Sequence, residues 1–327
     1  MIPIRRQLVG SGLALLGLAA TAPRRVLAQA RTVRIGVLTA RQPSVYLPAV
    51  LKRLAELGYV EGRNLVVDYR SADGVAERFP SLARDLIRAK SDLIFAIGPE
   101  QSARALLEAK ADVPVVVLAV DYDPVKTGMI SSLRRPGGNV TGMVLLQPTL
   151  AAKRLELLRE IVPKAKRMLV LADPFSTDQL ETIRQAAEKL RVDIIVETFP
   201  ALPYDFESAF AKGRAAGVEA VLLPASPVFL DQRTKLSDLA IKHRLPSIGA
   251  HVVHAEAGHL MSYGVNPATA FVRAGDMAAS ILKGAKPGDI PVEQPTEFEF
   301  TLNLKTAKAL GIKIPGSIMV RANRVIE

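Results

Sequence analysis

The chain has no cysteine and no tryptophan among its 327 residues, and only 5% are aromatic. Without cysteine there is no disulfide, no thiolate metal site and no thiol nucleophile. The scarcity of rings argues against a binding cage of stacked aromatics. Long apolar runs are scarce too. Leu8–Ala22 carries three glycines and falls short of the ~20 residues a membrane-spanning helix needs, and no second run of that length follows. Catalytic and nucleotide signatures are also absent after residue 30: there is no GxSxG, no Walker A and no GxGxxG. Ser280–Lys283 matches S-x-x-K, but its partner motifs are missing and Gly284 ends its helix. The net charge is +11, yet no basic stretch is interleaved with aromatics, so a nucleic-acid partner is not expected.

The first thirty residues read as an export leader. Arg5 and Arg6 precede the apolar run, and Ala28-Gln29-Ala30 supplies small residues at positions −3 and −1 of a cut before Arg31. The paired arginines suit a twin-arginine route as well as the general secretory one. Four of the excess positive charges (Arg5, Arg6, Arg24, Arg25) leave with the leader. The chain that remains is expected in the periplasm.

From Arg31 onward β-rich and helical patterns alternate. Val33–Leu38, Asn64–Tyr69, Asp92–Ile97 and Pro114–Val120 read as strands. Ser44–Leu57, Val75–Ala89 and Glu100–Lys110 read as helices between them. Continuous apolar strands separated by helices indicate a parallel sheet covered on both faces. A second series follows: strands 167–172, 193–198, 220–223 and 246–249, with helices 150–161, 179–190, 206–216 and 229–243. The tail (strand 260–263, helix 268–283, a Pro-rich link, strand 297–302) is too short for a third domain. It is expected to complete the earlier sheets, so the chain crosses between lobes more than once. Between the two series lies SSLRRPGGNVTG (131–142). Gly137 and Gly138 permit backbone conformations closed to other residues, and Asn139 and Thr141 can bond nearby backbone. These four residues are read as a hinge at the first crossing.

That stretch, preceded by Asp123-Pro124-Val125 and Gly128, resembles the substrate-binding proteins of ATP-binding-cassette importers, a family that includes binders of aromatic amino acids. LAELGYVEGRNLVVDYR (54–70), KHRLP (242–246), HLMSYG (259–264) and DMAASILKGAKPGDIPVEQPTEFEFTLNLKTAKALGI (276–312) carry the same resemblance, which spans the chain after the leader. It implies a type I periplasmic binding protein: two Rossmann-like α/β lobes with parallel sheets, a three-crossing hinge and a ligand in the cleft. Lobe 1 is expected at 31–145 and 264–288, and lobe 2 at 146–263 and 289–327. The implied protein is a monomer without cofactor or catalytic activity, with a small-molecule ligand and an inner-membrane permease as partners. A periplasmic sensor and a metal-dependent hydrolase are the alternatives. Where many members have Gly-Thr after the third strand, this chain reads Gly98-Pro99-Glu100-Gln101-Ser102, which leaves the ligand open.

Ligands of open α/β sheets bind beyond the carboxyl ends of strands. In the first lobe this selects Thr39, Arg41, Gln42 and Ser44, then Gly98, Gln101 and Ser102, then Asp121 and Asp123. In the second it selects Asp173, Ser176 and Ser226, with Tyr263 at a crossing. The helix start at Gln101–Ser102 suits a carboxylate, and Asp121 or Asp123 an ammonium. The competing reading makes the serines helix caps and Asp123 a turn residue before Pro124. Tyr46, Tyr122, Phe175, Phe229 and Tyr263 are the rings available to an aromatic ligand. His251, His254 and His259 with Glu256 offer metal-compatible side chains, but a polar loop is the simpler reading and no metal is expected.

Overall fold

In the computed structural model of the chain, residues 31–41, 46–110, 112–120 and 122–327 are described. The leader, Gln42, Ser44 and Asp121 lie outside them. Strands β1 (Val33–Thr39), β2 (Leu65–Ser71), β3 (Leu93–Gly98), β4 (Val115–Ala119) and β5 (Val140–Val144) form one sheet in the order β2-β1-β3-β4-β5, every pair parallel. β4 is Val-Val-Val-Leu-Ala and buried throughout. Branched side chains fit a pleated surface packed on both faces, and each fully buried one contributes roughly 1.5–3 kcal/mol. Helix α1 (Leu47–Glu56) turns Leu47, Val50 and Leu54 inward. It covers one face, and α2 (Phe79–Arg88) and α3 (Glu100–Glu108) cover the other.

The second sheet has seven strands, ordered β12-β11-β10-β9-β8-β6-β7. These are β6 (Arg167–Ala172), β7 (Asp193–Thr198), β8 (Ala220–Leu222), β9 (Ser247–Gly249), β10 (Met261–Val265), β11 (Phe298–Asn303) and β12 (Arg324–Ile326). Only β10 and β11 pair antiparallel. Helices α4 (Gln147–Ile161) and α5 (Asp178–Leu190) pack on one face and on each other; α6 (Phe206–Ala215), α7 (Pro227–Asp231) and α8 (Arg233–Lys242) lie along the other. The sequence reads residues 229–243 as one helix. The structure breaks it at Gln232, between α7 and α8, and adds α9 (Val252–Glu256).

The chain crosses between the sheets three times. It leaves β5 for α4 at Leu145–Leu146, and Leu146 holds a left-handed φ of 56° to make the bend. It returns after β10, where α10 (Pro267–Leu282) packs on α1 and on the first sheet. The following segment pairs with β5 through Met143 and Glu293 before the chain enters β11. The tail thus completes both sheets. The turn at Gly137–Gly138 (φ 69° and 64°) enters β5 from the end remote from the first crossing. It fastens the return segment: the Gly137 amide donates to the Gly288 carbonyl, and Thr141 Oγ1 to the Ile290 carbonyl at 2.8 Å. Asn139 Nδ2 donates to the Val113 carbonyl. The bend at the first crossing itself is at Leu145–Leu146, where no glycine or proline marks it in the sequence.

Candidate functional site

Strand order reverses twice: between β1 and β3 in the first sheet, and between β6 and β8 in the second. Neighbouring strands at such points send their connections to opposite faces and open a crevice. The two crevices face each other and bound a cavity of about 110 Å³. From the first lobe, Thr39 ends β1 and Ala40 and Arg41 follow it, Gly98 ends β3 and Pro99 follows it, and Val120 follows β4. From the second, Phe175 follows β6, Ser226 and Pro227 follow β8, and His251 follows β9. Tyr46, Leu145, Leu230, Asp231, Arg233 and Phe271 complete most of the wall.

The lobes are in contact across this cavity. Arg41 Nη2 donates to Asp231 Oδ2 at 2.7 Å, joining residues 190 apart in sequence. Ser226 caps α7 by accepting the Val228 amide, and its hydroxyl donates to Asp173 Oδ2 at 2.5 Å. Asp173 also accepts from Ser176 Oγ, the Phe175 amide and Tyr204 Oη. Burial raises its carboxyl pKa against those bonds. Tyr46 sits edge-on to His251, and burial holds its phenol well above the ordinary range. Burial, helped by the positive charge of Arg154, pushes His251 down to about 3, so its imidazole is neutral. Arg154 is itself wholly buried, bonded to the Leu150 and Gln147 carbonyls and to Gln147 Oε1, with Nη1 unsatisfied. Burial lowers its pKa to about 9.

Of the residues expected from the sequence, Thr39, Arg41, Gly98 and Ser226 line the cavity together, and the rings of Tyr46 and Phe175 join them. Ser102 is buried and donates to the Pro99 carbonyl, while Gln101 is exposed; neither borders the cavity. Glu100 already occupies that helix start, in an ion pair with Arg104. Asp123 accepts the Val125 and Lys126 amides in the turn at Pro124. Asp173 and Ser176 sit behind the wall, bonded to each other. Tyr263 stacks on Phe298 in the second sheet. His254 and His259 are buried with protein partners: His259 reaches Ser247 Oγ and the Arg233 carbonyl, and His254 bonds His251 backbone. The strand-end rule did not select Leu230, Asp231, Arg233 or Phe271, because they lie within helices. The break at Gln232, which turns α7 and α8 toward the cleft, has no signal in the sequence.

Comparison with known proteins places this geometry among relatives. The family model described as ABC transporter substrate binding protein matches residues 44–326. A tyrosine-binding protein of Clostridioides difficile (strain R20291) is 29% identical over 269 residues, covering 80% of this chain and 75% of its own. A conserved domain protein of Vibrio cholerae superposes with a TM-score of 0.80 at 28% identity, over 90% of this chain and 100% of that one. An ABC domain from Streptococcus pneumonia in complex with L-Trp gives 0.78 at 26% identity, with the same coverage. The ligand-free, open structure of a substrate binding protein from Clostridium difficile, also 26% identical, gives 0.60 over 90% of this chain and 99% of that one.

Proposed function

Because the chain belongs to the ABC transporter substrate-binding protein family, we propose that it captures a small molecule between its lobes and delivers it to an inner-membrane ABC permease. The observation that carries this reading is the cavity at the meeting of two strand-order reversals, walled by both lobes. A ligand that touches both lobes binds the closed arrangement better than the open one and shifts the population toward it. The closed surface is then what a permease recognises. The arrangement described here resembles the L-Trp complex more than the open relative, at equal identity to both, in keeping with a closed form.

The ligand class suggested by the relatives is an amino acid or an aromatic acid, since one relative is a tyrosine-binding protein and another is complexed with L-Trp. Thr39, Gly98 and Ser226 are proposed as contacts on either side. The leader ending at Ala30 directs the chain to the periplasm, where it acts as a monomer and without cofactor. No helix among the described residues is long and apolar enough to cross a membrane.

A thermal-shift screen of purified protein against amino acids, organic acids and other small metabolites tests the reading. A ligand at 100 times its Kd adds about 2.7 kcal/mol of stability, a clear rise in Tm. A screen that finds no stabilising metabolite overturns capture in the cleft.

A further inference from the structure

Asp173 follows β6 and is wholly buried, and its carboxylate gathers donors from three segments of the second lobe. Oδ1 accepts the Phe175 amide at 3.1 Å and Ser176 Oγ at 2.8 Å. Oδ2 accepts Ser226 Oγ at 2.5 Å and, more distantly, Tyr204 Oη at 3.5 Å. Burial and the charge of Asp173 hold the Tyr204 phenol above its ordinary range, so it keeps its proton and donates.

Each of the three segments reaches the cleft. The first is the loop after β6, whose Phe175 ring lines the cavity. The second is α7. At its start Ser226 Oγ accepts the Val228 and Phe229 amides at 3.1 and 3.4 Å, so its one proton and both lone pairs are committed within the protein. Ser226 is thus a peg between α7 and Asp173. α7 brings Leu230 and Asp231 into the cavity wall, and Asp231 accepts Arg41 of the first lobe. The third is the loop of Tyr204. A Cβ on Gly74 of the first lobe would stand 2.6 Å from Leu202 of that loop, so the two are packed together. These two contacts with the first lobe therefore stand on segments bonded to one buried carboxylate. The position needs an acceptor on both oxygens. An amide there would turn N–H groups toward Ser226 Oγ, whose lone pairs already serve α7.

Resting on the reading of the cleft as a capture site, we infer that Asp173 is a positioning residue for capture. From behind the wall it holds the Phe175 ring, the start of α7 and the 202–204 loop where they enclose the cavity and meet the first lobe.

Hydrogen exchange read by mass spectrometry on ligand-free protein tests this, with Asp173→Asn beside Ser226→Ala. Asparagine keeps an oxygen for Phe175 and Ser176, and Ala225 is held independently by Gln179 through two bonds of 2.8 Å, so the loss is local. In Asp173→Asn, segments 199–206 and 226–232 should exchange about 10- to 150-fold faster, the worth of one charge-assisted hydrogen bond, while β6 and β8 keep the parent's rates. Ser226→Ala should accelerate 226–232 alone, and the double variant should exchange there no faster than the faster single variant. Small-angle scattering should report a larger radius of gyration for Asp173→Asn than for the parent. Parent rates in both segments, acceleration spread evenly over the second lobe, or an unchanged radius of gyration overturns the inference. If Asp173→Asn does not fold, Ser226→Ala and Tyr204→Phe decide. Each removes one bond to the carboxylate and should free its own segment only; unchanged rates in both overturn the inference. No ligand enters these measurements, so a thermal-shift screen without a hit overturns capture alone and leaves the positioning of the wall to the exchange result.

Discussion

At the scale of the single residue, the most telling side chains are buried polar ones whose surroundings decide their charge. His251, His254 and His259 all lose basicity on burial, and His259 falls from 6.5 to about 4. Its ring spans Ser247 Oγ and the Arg233 carbonyl. Nε2–H therefore donates to the carbonyl, and Nδ1 accepts from the serine. Above pH 6.5 both folded and unfolded chains keep this ring neutral and its contribution is intact. Below 6.5 the unfolded chain binds the proton first, so stability is lost as pH falls toward 4. At pH 5 the loss from His259 alone is on the order of 2 kcal/mol, and the other two rings act in the same direction. Urea denaturation at pH 7 and pH 5 should show this drop in the parent and a smaller one in His259→Gln. An equal drop in the variant would assign the acid sensitivity to other groups. In the sequence these histidines are metal-compatible side chains read as part of a polar loop; their burial and their protein partners are set by the fold. Gly249 belongs to the same packing, since a Cβ there would collide with the His254 ring.

At the scale of the element, β5 is the strand on which the lobes depend. It ends the first sheet, feeds the first crossing and receives the return segment at Glu293. Two glycines, one in the turn before it and one within it, act by different physics. Gly138 needs a left-handed φ of 64° but has open space around it, so Gly138→Ala costs only the backbone conformation, about 1 kcal/mol. Gly142 has no such room: a Cβ there would run into the Val117 carbonyl of β4. Gly142→Ala forces the two strands apart and should cost about 3 kcal/mol or more. Equilibrium denaturation of the two variants should separate them clearly; similar losses would mean that β5 shifts freely. The alternation of strands and helices was legible because apolar periodicity is a local property. The role of the PGG turn was only half legible. Its conformation follows from glycine, but its partner, the segment around Gly288, is about 150 residues away and brought there by the tertiary fold.

At the scale of the whole molecule, the proposed capture mechanism makes the balance between open and closed lobes depend on the contacts that join them. Arg41–Asp231 is the ion pair spanning the cavity, with side chains 28% and 42% exposed. A pair this exposed contributes at most about 1 kcal/mol, yet that shifts a two-state equilibrium about fivefold. Leu202 adds an apolar contact across the interface, close against Gly74. Asp231→Asn should therefore populate the open form in the absence of ligand. Small-angle scattering should report a larger radius of gyration than the parent's, and the parent itself should expand as salt screens the pair. A variant with the parent's scattering curve would show that the pair adds nothing to closure.

The sequence by itself determined the two βα series, the tail that returns to both, and the strand ends where a ligand would be held. Each follows from short-range periodicity or from the rule that parallel sheets bind beyond their carboxyl edges, which is how Thr39, Gly98 and Ser226 were found. Only the tertiary structure decided which polar residues face the cavity. Ser102 and Asp123 satisfy local backbone groups, as their types so often do, whereas Arg41, Asp231 and Arg233 meet there because two lobes close on each other. A side chain's partner across 190 residues is a consequence of packing, and no local pattern encodes it.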